Sequence, residues 1–202
     1  MTDSRQCHWD GVYETRAEDE VSWFEVTPGA SLDLIRRTNV PLDAAIIDVG
    51  GGLSHLAGTL VANGYSDVTV LDISDVAIRQ LAARHQAVKG LVADITDWTP
   101  KRRYQVWHDR AVLHFLTDEA DRAAYRRALL AGLEPGGQAI IATFAPTGPD
   151  RCSGLPVRRY GREDLEAFLG DAFLMVESFE FDHVTPAGRV QRFHVGRLRR
   201  KK

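Results

Sequence analysis

Apolar and polar positions change rhythm several times along this chain, and each change predicts an element. Residues 44–49 form an apolar run broken only by Asp48, the length of a strand covered on both faces. Three glycines stand at 50–52, and a helical pattern begins at Ser54 and runs to Ala62. The turn N-G-Y-S-D (63–67) leads into a second strand, Val68–Leu71. Ser74 then caps a helix whose Val76, Ile78, Leu81 and Ala82 share one stripe. Gly90–Ala93 and Tyr104–His108 read as a third and a fourth strand. Thr117 reads as the cap of the clearest helix, with acids in its first turn and arginines later, as the helix dipole favours. L-E-P-G-G (133–137) reads as a turn into a fifth strand, Gln138–Phe144. Strands alternating with helices predict a doubly wound parallel sheet with helices on both faces.

The two ends depart from that rhythm. Residues 8–38 read as a helical preface in which Trp9 and Tyr13, four apart, share a face. S-W-F (22–24) and P-G-A-S (28–31) form an aromatic loop, with Ser31 placed as the N-cap of L-D-L-I-R-R and Pro41 as its stop. These aromatics either cover one end of the core or form a lid over a ligand at the glycines. After the fifth strand comes a polar loop, 145–157, and then a short helix, 162–169. Strands Phe173–Phe181 and Arg192–Leu198 follow, joined by a turn containing P-A-G (186–188). No crossover helix fits between them, so they are expected to pair antiparallel. The tail R-L-R-R-K-K reads as a frayed, solvated end. The whole reads as one domain, with 1–43 an aromatic cap and 44–202 the core.

Composition excludes more than it assigns. The formal net charge of −3 points neither to nucleic acid nor to an anionic membrane. No apolar run approaches the roughly 20 residues of a membrane helix, and the polar N-terminus is no secretory signal, so the expected address is the cytoplasm. Cys7 and Cys152 stand far apart with no C-x-x-C partner, which argues against structural zinc. No metal is expected, and a monomer or homodimer is.

Chemistry concentrates where the strands end. Gly50, Gly51 and Gly52 admit positive φ and let a ligand approach the backbone, beside the free N–H groups of a helix start. Asp48, Asp72, Asp94 and Asp109 each fall at or next to the end of a strand, where doubly wound sheets bind ligands. Asp72 follows Gly52 by twenty residues, the spacing at which a carboxylate reaches both ribose hydroxyls. Asp94 is placed to accept from the exocyclic amine of an adenine. A dinucleotide fingerprint would need a third glycine at position 55, which is His55, and no Walker sequence is present. A ligand with adenine, ribose and a charged amino-acid end fits better than one with phosphates.

From about residue 44 to 198 the chain resembles the class I S-adenosylmethionine-dependent methyltransferases, and five segments carry the resemblance. D-V-G-G-G-L-S stands where the family has an acid followed by alternating glycines, with Ser54 in place of the third. V-T-V-L-D-I-S matches the ribose-binding strand, which implies Asp72 for the hydroxyls and Ile73 against the adenine face. A-D-I matches the adenine edge, at Asp94 and Ile95. L-E-P-G-G-Q-A-I-I matches the turn into the fifth strand, and the terminal hairpin fits a seven-stranded sheet. The implied cofactor is S-adenosyl-L-methionine, leaving S-adenosyl-L-homocysteine as product.

The resemblance divides over the acceptor. H-W-D-x-V-Y, S-W-F and S-L-x-L-I are similar to methyltransferases of lysines on cytosolic proteins and to bacterial enzymes of unassigned substrate. D-R-A-V-L-H-F-L is similar to the D-R-G-A segment of thiol and thiopurine S-methyltransferases. The lysine enzymes carry an acid five residues after the first of that segment, where this chain has His114. A heteroatom of a small molecule is therefore the expected acceptor, with a thiol among the candidates. A protein lysine, or a cofactor-binding module without catalysis, is the alternative; an oxidoreductase is disfavoured by His55. Methyl transfer needs in-line positioning and exclusion of water more than covalent help. An amine or hydroxyl acceptor would also need its proton removed. Asp109 and His114 are the candidates for that task. Trp23, Phe24, Arg110 and Cys152 are the candidates for the acceptor's pocket, with Arg151 and Arg158 further contacts for an anionic substrate.

Overall fold

The structure is a computed structural model that describes residues 2–202. Its organising element is a seven-stranded sheet whose strands lie in the order Lys89–Val92 (β3), Asp67–Asp72 (β2), Ala45–Val49 (β1), Tyr104–Arg110 (β4), Leu133–Phe144 (β5), Val190–Arg200 (β9) and Phe173–Val184 (β8). Strand β1 lies beside the central strand and pairs in parallel with β2 and with that central strand, β4. The short β3 (Lys89–Val92) extends one side; β5 (Leu133–Phe144) extends the other. The strand order reverses between β1 and β4, so the carboxyl ends of these two strands open onto a crevice.

Alternation along the strands decides which helix covers which face. Ile46, Val68, Val70 and Val106 point to one side, where they meet Leu32 and Ile35 of α2 (Gly29–Arg36), Leu56 and Leu60 of α3 (Leu56–Ala62), and Ile78 and Leu81 of α4 (Asp75–Arg84). Ile47, Val49, Trp107 and Ile141 point to the other side. There they meet Tyr125 and Leu129 of α5 (Glu119–Gly132) and Leu165 and Leu169 of α6 (Arg162–Leu169). Asp48 sits between buried Ile47 and Val49, and its partner is found on the neighbouring strand.

Antiparallel β9 (Val190–Arg200) and β8 (Phe173–Val184) complete the sheet, as expected from the missing crossover. They are longer than the sequence pattern suggests, and the basic tail is not frayed where the ladder holds it. Arg200 pairs with Phe173, Lys201 N–H donates to the Ala172 carbonyl at 2.9 Å, and Arg197 is clamped by Glu177 and Gln138.

Three local details differ from the pattern for identifiable reasons. L-E-P-G-G belongs to β5, whose ladder with β4 carries an irregularity between Tyr104 and Val106 that absorbs the turn-like residues. The 145–157 loop contains a small hairpin, β6 (Arg151–Cys152) with β7 (Leu155–Pro156). Ser31 does not cap α2, which starts two residues earlier at Gly29; its hydroxyl is used elsewhere. Ser74 does cap α4, accepting from Ala77 N–H at 3.1 Å.

Candidate functional site

At the carboxyl ends of β1, β2 and β4 lies a cavity of about 290 Å³. Helix α1 (Thr2–Thr15) roofs it, so the N-terminal aromatics act both as core cover and as lid. Trp9 and Tyr13 reach the cavity from one face of α1, and Trp23 joins them from the following loop. Their rings meet edge to face, Trp9 with Trp23 at 5.8 Å and with Phe115 at 5.1 Å. Asp10 anchors the helix by accepting from the Ser74 hydroxyl at 2.6 Å, and Arg5 pairs with both Asp94 and Asp121.

The floor is the turn after β1. Gly50 has φ +67° and Gly52 has φ +46°, conformations L side chains rarely adopt. A Cβ on Gly50 would come 2.0 Å from Val112, one on Gly51 2.5 Å from the Asp48 carboxylate, and one on Gly52 2.1 Å from the Tyr13 hydroxyl. Gly50 lines the cavity directly; Gly51 and Gly52 pack between the layers beneath and above.

Asp72, Ile73, Asp94 and Ile95 all line the cavity, on the β2–β3 side. Asp72 is buried and accepts from Ser74 N–H at 2.8 Å. Burial, helped by the Asp48 carboxylate nearby, pushes its pKa up to about 7 against the hydrogen bonds of Ser74 and Gly52. A diol that donated to this carboxylate would restore the polar contacts burial has removed, so the position fits a ribose. Asp94 is less free than the sequence suggests. One of its oxygens accepts from Thr96 N–H and Oγ1 at 2.8 and 2.7 Å, and the other faces Arg5 at 3.5 Å. An adenine amine would have to compete with Arg5.

Asp48 does not line the cavity. It lies under Gly51, in a buried chain in which His108 Nδ1 meets its carboxylate at 2.7 Å and His108 Nε2 meets the Ser31 hydroxyl at 2.9 Å. The chain braces the glycine turn against α2. The hydrogen-bonded order Ser31, His108, Asp48 has the residue types of a hydrolytic triad. With all three side chains buried, no substrate can reach it.

The two candidates for proton removal stand elsewhere than expected. Asp109 is wholly buried and outside the cavity wall; it accepts from Tyr125 Oη at 2.6 Å, Val112 N–H at 2.8 Å and Leu113 N–H at 3.1 Å. Its pKa is pushed up to about 6 by burial, which these hydrogen bonds oppose. It braces the short helical turn Leu113–Phe115 that presents Val112 and Phe115 to the cavity. His114 is also sealed, its ring between Phe115 and Phe144 at 4.4 and 4.7 Å. Burial, reinforced by Arg110, brings its pKa down to about 3, so it stays neutral. Neither side chain can reach an acceptor in this arrangement.

Of the acceptor-pocket candidates, Trp23, Arg110 and Cys152 line the cavity, whereas Phe24 faces a separate space of about 40 Å³ beside His55. Arg110 donates to the Trp23 carbonyl and to Glu25, each at 3.0 Å, and lies over the Phe193 ring at 5.2 Å. Cys152 is buried, and burial pushes its thiol pKa up, so it is a neutral part of the wall. Arg151 and Arg158 are occupied locally, by the Gly154 carbonyl and the Tyr160 ring. His55 is held by the Val26 carbonyl and Glu18.

Sequence reasoning missed Arg5, Phe115 and Phe193 as wall residues. Phe115 had a signal, since it follows β4 by a single turn. Phe193 had none, because the hairpin reaches the site only through the reversed order of the last strands.

A turn with two positive-φ glycines after β1, an acid after β2 and a sheet closed by a reversed hairpin define the Rossmann-like methyltransferase fold. The family described as "Methyltransferase domain" matches residues 46–137, and solved methyltransferases share the fold of this chain. Among curated relatives, EEF1A lysine methyltransferase 2 of Mus musculus is 33% identical over 84 residues, covering 38% of this chain and 34% of the relative. The eEF1A lysine and N-terminal methyltransferase of Bos taurus is 29% identical over 124 residues, 57% of this chain and 17% of the relative. The chain thus spans about a third or less of these relatives' length. Solved structures match over nearly the whole chain. A protein studied for the conversion of a disulfide bond into a thioacetal group during echinomycin biosynthesis has a TM-score of 0.77 at 22% identity, covering 98% of this chain and 93% of its own. The 1,6-didemethyltoxoflavin-N1-methyltransferase of Burkholderia thailandensis, solved with bound 1,6-didemethyltoxoflavin and S-adenosylhomocysteine, has a TM-score of 0.72 at 21% identity, covering 100% of this chain and 87% of its own. Among the described residues no helix is long and apolar enough to cross a membrane, and no cluster of side chains could hold a metal ion.

Proposed function

We propose that the protein transfers the methyl group of S-adenosyl-L-methionine to a heteroatom, sulfur, nitrogen or oxygen, of a small molecule. The observation that carries the acceptor class is the roofed end of the cavity. Trp9, Trp23, Phe115 and Phe193 enclose it, and among the described residues the charged side chain beside these rings is Arg110, which would repel a lysine ammonium. The carboxylates that reach the cavity belong to the other end. Asp72 stands over the glycine turn, Arg5 ties Asp94 to Asp121, and Asp118 lies exposed at the rim.

In this reading Asp72 takes the ribose hydroxyls, Ile73 and Ile95 flank the adenine, and the backbone around Gly50 faces the amino-acid end. The sulfonium supplies a methyl group already activated for attack. The chain's own part is to orient both partners and exclude water, which α1 and the aromatic loop achieve by closing over the site. Asp109 contributes by fixing the Leu113–Phe115 turn rather than by accepting a proton.

The test incubates purified protein and a cell extract with methyl-labelled S-adenosylmethionine and separates protein-bound from small-molecule label. Small-molecule label supports the reading. Label on a discrete protein band favours a lysine acceptor, for which the similarity to EEF1A lysine methyltransferase 2 speaks. Cofactor binding without label in either fraction favours a non-catalytic module.

A further inference from the structure

Arg5 stands where a purine edge would be read. It reaches the cavity from the first turns of α1, and one guanidinium nitrogen lies 3.5 Å from the Asp94 carboxylate. Another donates to Asp121, in the first turn of α5. One Asp94 oxygen is filled by the Thr96 N–H and hydroxyl, so the oxygen facing Arg5 is the one left for a ligand's donor. The Asp94 side chain is only 5% exposed, and a carboxylate so buried is costly without a partner. Arg5 is that partner. Its own side chain is 41% exposed and the Asp121 contact holds it at the rim, so it can swing off Asp94 without leaving the protein. Helix α1 has separate anchors further along. Asp10 accepts from the Ser74 hydroxyl at 2.6 Å and from Val76 N–H at 3.3 Å, and Glu18, just beyond the helix, meets Arg84 and His55. Displacing Arg5 therefore does not release the helix.

Resting on the reading of Asp94 as the acceptor for the adenine edge, we propose that Arg5 is a built-in competitor of the cofactor, a residue that sets how much the cofactor's 6-amino group contributes to binding. The amine takes the Asp94 oxygen only by displacing a charged partner already there. What it gains is reduced by the strength of the Arg5–Asp94 pair, and Arg5 retires to Asp121. A purine with no donor at that position leaves the pair in place. The same competition runs in reverse at the end of turnover. As the adenine of S-adenosylhomocysteine lifts, Arg5 returns to Asp94 and no buried carboxylate is left alone. This lowers the cost of release, which suits an enzyme whose product keeps nearly all of the cofactor's contacts.

The experiment uses calorimetry at one pH on the full chain and on Arg5→Gln. It measures the dissociation constants of S-adenosylhomocysteine and of its analogue lacking the 6-amino group. The two ligands carry the same charge, so the ratio of their constants isolates the amine. Arg5→Gln should raise the preference for the amine about threefold to fivefold, the scale of a partly exposed ion pair. Raising salt from about 50 mM to about 500 mM shortens the screening length to a few Å. That should raise the preference in the wild-type protein and leave it unchanged in Arg5→Gln. The salt series on the wild-type protein needs no variant, so it decides the matter even if the glutamine protein folds poorly. The proposal is overturned if Arg5→Gln changes both constants by the same factor, because Arg5 then only fastens α1. It is equally overturned if the wild-type preference is insensitive to salt. Two other outcomes strike the reading beneath it and the competitor with it. Equal constants for the two ligands in both proteins remove Asp94 as the adenine acceptor, and binding of neither ligand removes the methyltransferase reading itself.

Discussion

Cofactor binding should be coupled to the loss of a proton from Asp72. In the free protein this carboxyl is buried beside Asp48 and its pKa is pushed up to about 7. Two ribose hydroxyls donating to it would favour the charged form and draw the pKa back down. At about pH 6 some nine-tenths of the free protein then carries the proton and must release it to bind, whereas at about pH 8 some nine-tenths has already lost it. Apparent affinity should therefore rise about tenfold between these values, or about 1.4 kcal/mol, and flatten above. The sign for stability is opposite. A carboxyl whose folded pKa lies above its unfolded one contributes stability that is whole below about pH 4 and is lost as pH climbs through about 7. Titration calorimetry in two buffers of different ionisation enthalpy reads the coupling directly, with close to one proton released per cofactor at about pH 6. Asp72→Asn should remove the pH dependence, and Asp72→Ala should weaken binding by roughly 1–3 kcal/mol. A pH-independent dissociation constant with no buffer dependence would refute the ribose assignment.

Two further outcomes separate bracing residues from binding ones. Asp109→Ala removes three accepted hydrogen bonds and leaves the buried Tyr125 hydroxyl unpaired. It should cost roughly 3 kcal/mol of stability in denaturant melts, and the part that remains folded should still bind cofactor; unchanged stability with abolished transfer would return Asp109 to the chemistry. Ala111 is held at φ +76° directly after β4, where its N–H donates to the Ala142 carbonyl at 2.8 Å. Ala111→Gly relieves a left-handed alanine and should stabilise the protein by about 1 kcal/mol, raising Tm by a few degrees; a lowered Tm would show that the alanine side chain contributes more than its backbone strain costs.

Much of this architecture is visible in the one-dimensional pattern because the local signals and the tertiary demands agree. The run at 44–49 is apolar on both alternating faces because β1 is covered on both, and Ser74 caps α4 where the pattern places a cap. The missing crossover between the last strands foretells their antiparallel pairing. The failures are of another kind. An aspartate at a strand end looks the same whether it lines the cavity, as Asp72 does, or turns back onto backbone N–H groups and a tyrosine, as Asp109 does. His114 and Phe24 stand near the site in sequence and away from it in space, since a single 3₁₀ turn or loop residue reverses a side chain. Ser31 looks like a cap because caps and buried hydrogen-bond partners draw on the same residue types. Phe193 comes from the far end of the chain, and periodicity carries no information about which distant strand closes a pocket.

The buried pair of Asp48 and His108 has a consequence for how the chain finds its own arrangement. These residues are direct neighbours across the β1–β4 ladder, at the switch point of the sheet. Parallel strands of mostly apolar residues discriminate poorly between alignments, because an isoleucine is nearly as content beside one valine as beside another. Sliding β4 by one residue would set the carboxylate against Trp107 or Asp109 and leave the imidazole without its partner. An ion buried alone costs several kcal/mol, far more than a slip costs in apolar packing. The pair thus acts as a key that fits one alignment, and that alignment brings Arg110 and the glycine turn to the same crevice. His108→Leu would keep the volume and discard the key, allowing misaligned, kinetically trapped chains to accumulate on refolding.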